Sequence, residues 1–208
     1  MVINIFILNE SVLMYVVDAA LPPLAIGFFG LGIGYYVFGG AGFFRFPKEN
    51  NDNINHAMGL WGIFMPGFMQ FIAGTYIFLG LTIFPAFRST PILYMAGLAF
   101  TSYGVHWFAL GYNKYKGADT TVDGFMAVGF LWISIIGAVV FGLGHDIPVM
   151  ILFILLAIIY LNDIPASLFH SPAWGRGKAL FQLITGTWLM YLTFAAALNF
   201  ALGYHLFL

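Results

Sequence analysis

The chain has no cysteine and very little charge, and each absence closes off a class of protein. Without a thiol there is neither a disulfide framework nor a thiolate metal site. Only 7% of the 208 residues are Asp, Glu, Lys or Arg. A soluble domain carries roughly a quarter, so this chain cannot keep its surface wet. No basic patch accompanies the net charge of −1, which argues against a nucleic-acid partner. The motifs H-E-x-x-H, G-x-S-x-G and the phosphate-cradling Walker loop are missing. The five histidines (His56, His106, His145, His170, His205) are scattered over separate segments, so neither a metal nor another cofactor is expected. Nor do the hydrophobic segments carry a string of carboxylates. An enzyme with so few acids, bases or nucleophiles would be unusual, whereas a conduit for a small solute needs none.

What is present is apolar sequence: 62% hydrophobic residues and a mean hydropathy of +0.94. A bilayer core of about 30 Å takes roughly 20 apolar residues per helix. On that measure the chain reads as an all-α integral membrane protein with six transmembrane helices, at about 22–40, 58–84, 91–112, 124–144, 147–161 and 179–206. The fifth is short because Asn162, Asp163 and Pro165 interrupt its run, and it is read as ending near Leu161 or as broken and continuing toward Phe169. Residues 1–17 are punctuated by Asn4, Asn9 and Glu10 and read as an interfacial segment. The start lacks the basic region of a cleavable signal and reads as mature. Residues 1–208 then form one transmembrane domain.

Six of the seven basic residues fall in loops 1–2, 3–4 and 5–6: Arg45, Lys48, Lys114, Lys116, Arg176 and Lys178. Cytoplasmic loops collect such residues, which places both termini outside. Asp18, Asp123, Asp146 and Asp163 lie near the expected helix ends, where carboxylates stay hydrated, and read as topology markers.

Small residues let helices approach closely in lipid. Gly27, Gly30 and Gly34 share one face of the first span, and Gly97, Gly104 and Gly111 repeat every seven residues in the third. They read as helix contacts. The third span also carries the most polar groups. Its spacing sets Phe100, Tyr103 and Trp107 along one face, with Ser102 and His106 on the neighbouring one. Polar groups at that depth need internal partners or water. His106 is either a neutral imidazole bonded across a helix interface or a proton-sensing or substrate-contacting group. Gln70 in the second span and Asn199 in the sixth are either interhelical glue or pathway lining.

Phe100-Thr101-Ser102-Tyr103-Gly104, with Trp107 beyond it, resembles the most recognisable motif of the acetate uptake transporter family, also called the succinate–acetate permeases. His106 stands where that family usually has an aromatic. The second-helix stretch 62–74 shares Gly62-Ile63-Phe64, Gly67, Gln70 and Ala73-Gly74 with the family pattern, and the last helix shares Tyr191, Leu198-Asn199 and Gly203. The family's first-helix signature is degenerate here. Pro23, Leu24, Phe29 and Gly30 match, but Ala20 replaces its Asn and Leu21 its first Pro.

The resemblance implies six-helix protomers in a plasma-membrane homo-hexamer, each with its own pathway for acetate and related small monocarboxylates, succinate included. It implies a mid-pore constriction of Phe29, Tyr103 and a fifth-helix residue within 155–158. Thr101, Ser102 and Gln70 would offer hydrogen bonds, with His106, Trp107 and Asn199 along the pathway and His106 tuning pH dependence. It also implies a cytoplasmic N-terminus, opposite to the reading from loop charge. The alternative is a urea or short-amide channel, likewise hexameric with aromatic constrictions but passing a neutral solute.

Overall fold

The computed structural model describes residues 23–48, 52–84 and 86–208. The segment 1–17, Asp18 and the start of the first span lie outside them. Six helices account for the fold: α1 Leu24–Phe44, α2 Asp52–Thr82, α3 Leu93–Lys116, α4 Thr121–Leu143, α5 Ile147–Leu168 and α6 Pro172–Leu202. There is no strand among the described residues.

Five of the six are long and apolar enough to cross a bilayer by composition alone; α3 falls short. Its 24 residues still rise about 36 Å. It can be polar because it is the helix most enclosed by the others, burying Phe100, Tyr103, Gly104, His106, Trp107 and Gly111 among its residues.

Three boundaries differ by six or more residues from the hydropathy reading, one of them the start of α6, which lies at Pro172 and not near 179. α2 begins at Asp52, six residues into what looks like loop, because Asp52 sits in a first turn where the helix dipole favours a carboxylate. α5 does not stop near Leu161 but runs unbroken to Leu168. Its polar residues find partners inside the fold: Asn162 Nδ2 donates to Ile158 O at 2.8 Å, and Ser167 Oγ donates to Asp163 Oδ1 at 2.7 Å. Pro165 falls in the last turn, so any bend it makes against the preceding turn moves only the end of the helix. α2 has a proline nearer its middle. Around Pro66 the backbone widens into a π-helical stretch, Ile63–Phe68, which relieves the clash a proline makes with the preceding turn.

The helices form a ring in sequence order, closed by α1 against α6. Glycines set the closest approaches. A Cβ on Gly104 would lie 2.6 Å from Phe71 N and one on Gly111 2.7 Å from Gly59 O, so α2 and α3 touch backbone to backbone. A Cβ on Gly34 would meet the ring of Pro66 at 2.6 Å, which seats α1 on the widened turn of α2. These glycines are helix contacts. Trp188 Nε1 donates to Pro148 O at 3.0 Å and ties α6 to the start of α5.

Candidate functional site: an aromatic neck between two cavities

The ring of helices encloses two cavities that open at opposite ends of the bundle. One, of about 660 Å³, opens among the α1–α2, α3–α4 and α5–α6 loops. Its described walls carry Arg45, Lys48, Lys114 and Lys178 against Asp123 and Asp163, so it is basic. The other, of about 450 Å³, opens beside the α2–α3 loop and the α4–α5 junction. It is largely apolar, and Asp146 is its one charged residue among those described.

The two share no described wall residue, yet they approach within one helical turn. Leu31, Tyr103 and Leu156 face the apolar cavity; Tyr35, His106, Trp107 and Tyr160 face the basic one. Four residues of helix span about 6 Å, so a single layer of side chains separates the two spaces. None of these seven residues carries a formal charge at neutral pH with His neutral, and each is buried.

The layer is stiff. The Tyr103 and Tyr160 rings stack at 6.1 Å, Tyr103 packs on Phe130 at 5.3 Å, and His106 lies 4.5 Å from Phe130. Trp107 is held between Tyr35 at 5.8 Å and Phe38 at 5.1 Å. Ser134 Oγ donates to Phe130 O at 2.8 Å, so the Tyr103 hydroxyl, 2.9 Å from that Oγ, donates to it. The phenol's proton is thereby engaged and its lone pairs remain for a passing donor.

One turn of α5 below Tyr160, Lys178 Nζ meets Asp163 Oδ1 at 2.7 Å, with Asp163 only 4% exposed. Asp163 is therefore no hydrated helix end. It is a buried partner that anchors a cation in the basic vestibule. At the other mouth, Asp146 caps α5 by accepting from Val149 N at 3.1 Å, and burial pushes its carboxyl above the ordinary range.

The residues singled out from sequence fall in three places. Tyr103, Gln70, His106 and Trp107 line the cavities. Both amide atoms of Gln70, both ring nitrogens of His106 and Trp107 Nε1 are buried with no protein partner among the described residues. Phe29 points away: it is 39% exposed on the outer face of α1 and lines neither cavity, while Phe28 at 3% faces inward. Thr101, Ser102 and Asn199 also lie off both walls. Thr101 is wedged in the α2–α3 seam against Gly74. Asn199 closes the turn after α6, donating to Leu206 O at 2.9 Å and accepting from Leu206 N at 2.8 Å.

No protein-family model matches the chain, and no curated protein matches it in sequence. Among solved structures it is similar to the bacterial acetate channel SatP. The likeness is one of fold. It has a TM-score of 0.66 at 19% identity, over 90% of this chain and 97% of that one. The described residues thus form a six-helix membrane protein with the architecture of SatP.

Tyr160, Phe130 and Ser134 escaped the sequence reading, and Lys178 entered it only as a loop charge. A signal for Tyr160 existed: Tyr160, Asp163 and Ser167 sit at i, i+3 and i+7, a polar stripe down one face of an otherwise apolar helix.

Proposed function

We propose that the protein is a channel or transporter for acetate and related small monocarboxylates, each protomer conducting through its own bundle. The observation that supports this best is the pair of cavities reaching one uncharged aromatic layer from opposite ends. The likeness of fold to an acetate channel supports it further.

Tyr103 and Leu156 form the neck with Leu31, and Phe28 rather than Phe29 is the first-helix aromatic at its mouth. A bare carboxylate pays heavily to shed water in such a passage. A small acid whose charge is neutralised pays far less. Tyr103 accepts a hydrogen bond from it, and Gln70, with both amide atoms unpartnered, receives it on the apolar side. Larger or strongly hydrated ions are rejected by width and desolvation. Assembly as a homo-hexamer in the plasma membrane, without cofactor or enzymatic activity, belongs to the same reading. The basic vestibule faces the cytoplasm on the loop-charge argument.

The test is radiolabelled acetate uptake into proteoliposomes at external pH 5 and pH 7, with urea in parallel, since an uncharged neck also suits a short amide. Acetate flux above empty liposomes with no urea flux is expected. Urea flux without acetate flux would replace the reading with an amide channel.

A further inference from the structure

We infer that His106 and Trp107 form a carboxylate-holding subsite on the basic side of the neck, with Lys178 as its counter-charge. The inference rests on the channel reading and adds where, and by what, the solute is held.

Three buried polar atoms in adjacent residues have no protein partner among the described residues: His106 Nδ1, His106 Nε2 and Trp107 Nε1. Both side chains line the basic cavity, and their ring centroids are 6.0 Å apart. Leaving such groups buried and unpaired is unfavourable, and a polar ligand relieves that penalty. The indole N–H can only donate, and a neutral imidazole supplies one donor and one acceptor. That donor set suits a carboxylate and gives a cation little to bind.

The rings are held for the task. Phe130 and Tyr160 flank the imidazole, while Tyr35 and Phe38 flank the indole. Little side-chain freedom is then lost on binding. The charge comes from Lys178, which lines the same cavity. Its ammonium has three donors, and Asp163, itself bonded by Ser167, is the one partner described for it. Asp163 therefore positions the cation without using it up. The apolar cavity offers no equivalent, because Gln70 is neutral and the charged group there is Asp146. The neck is thus asymmetric, and the carboxylate rests on one side of it.

The test is initial-rate uptake of radiolabelled acetate at fixed pH by the full-length protein in proteoliposomes. Wild type is compared with H106F, H106Q and W107F. H106F keeps an aromatic ring and removes the ligand atoms, so its KM should rise about tenfold, with maximal rate within about threefold of wild type. H106Q, which restores a donor and an acceptor, should return KM to within about threefold. If H106F does not survive extraction, W107F carries the same test, because it keeps an apolar ring and removes only the N–H. A KM within about twofold of wild type in H106F and W107F would overturn the subsite. So would an equal loss of maximal rate in H106F and H106Q at unchanged KM, which is the mark of a packing role. Wild type without acetate flux would instead bring down the channel reading and the subsite with it.

Discussion

The rings of Tyr103 on α3 and Tyr160 on α5 lie almost parallel, 6.1 Å apart and tilted by only 6°. Each faces a different cavity, so this one stack belongs to both sides of the barrier. Offset aromatic pairs at such separations add about 0.5–1.5 kcal/mol beyond their area. The stack therefore helps to hold α3 against α5 across the lumen as well as filling the neck.

Removing the Tyr103 ring should open the barrier. Tyr103→Ala is expected to cost about 3 kcal/mol of stability, as large aromatic truncations in cores do. It should also admit carboxylates that the wild type excludes. Tyr103→Phe keeps the ring and loses the hydroxyl bonded to Ser134, so it should retain size selection. Uptake of acetate and of a four-carbon acid by both variants checks this. Unchanged selectivity in the alanine variant would remove Tyr103 from the constriction.

Adjacent phenylalanines give a sharper comparison. Phe28→Ala empties a buried site beside the apolar cavity and should change acetate flux several-fold, with about 3 kcal/mol lost from the fold. Phe29→Ala touches neither cavity and should leave flux within about twofold, as surface substitutions away from special features usually do. Parallel uptake and melting curves for the two variants decide between them.

That pair also shows where sequence reading reaches its limit. Hydropathy placed the helices well, because the bilayer fixes how long an apolar run must be. It could not orient α1, whose residues are apolar nearly all round. With Phe28 and Phe29 successive, about 100° apart on the helix, only the glycine face packed on α2 and α3 settles which one looks inward. Asp163 was misplaced for the opposite reason. A carboxylate beside Asn162 and near Pro165 marks a helix end unless a cation arrives from elsewhere, and Lys178 lies 15 residues away on another helix. Tyr103, Gln70 and His106 were legible because a polar group in an apolar span demands an explanation. Thr101 and Ser102 carried the same signal, yet packing against α2 and not the lumen accounts for Thr101.

The Asp163–Lys178 pair should behave as a buried partnership in a double-mutant cycle. Lys178→Met leaves the carboxylate uncompensated and should cost about 2 kcal/mol, below the value for a fully buried pair because the Lys178 side chain is 28% exposed. Asp163→Asn/Lys178→Met should recover most of the loss. Thermal melts in one detergent provide the comparison. Additive losses would mean the two residues are not coupled.

Gly104 and Gly129 should respond in opposite directions to alanine. At Gly104 the new methyl would sit 2.6 Å from Phe71 N and 2.9 Å from Gly67 O, so α2 and α3 must part. Overpacking of this kind costs about 1–3 kcal/mol. Gly129 has nothing within 4 Å of its Cβ position, and alanine in a helix interior gains up to about 1 kcal/mol over glycine. A melting temperature that falls for Gly104→Ala and holds or rises for Gly129→Ala is expected.

Asp146 ties pH to both stability and flux at the apolar mouth. Burial raises its carboxyl above the ordinary range, and the bond from Val149 N only partly opposes that. The ionised form is therefore less favourable in the fold than in the unfolded chain. Its contribution to stability grows as pH falls through the raised value, until the unfolded carboxyl also protonates near its ordinary value of about 4. The same protonation neutralises the one acidic side chain on the described walls of the apolar cavity. Acidification on that side should then ease the approach of a carboxylate, beyond what neutralising the solute itself achieves. Asp146→Asn keeps an oxygen to cap Val149 and has no charge to lose. It should raise acetate flux at pH 7 and flatten the flux–pH curve on its acid side. Asp146→Ala should add a stability loss of about 1 kcal/mol from the missing cap. Equal flux–pH slopes in wild type and Asp146→Asn would assign the acid response wholly to the solute.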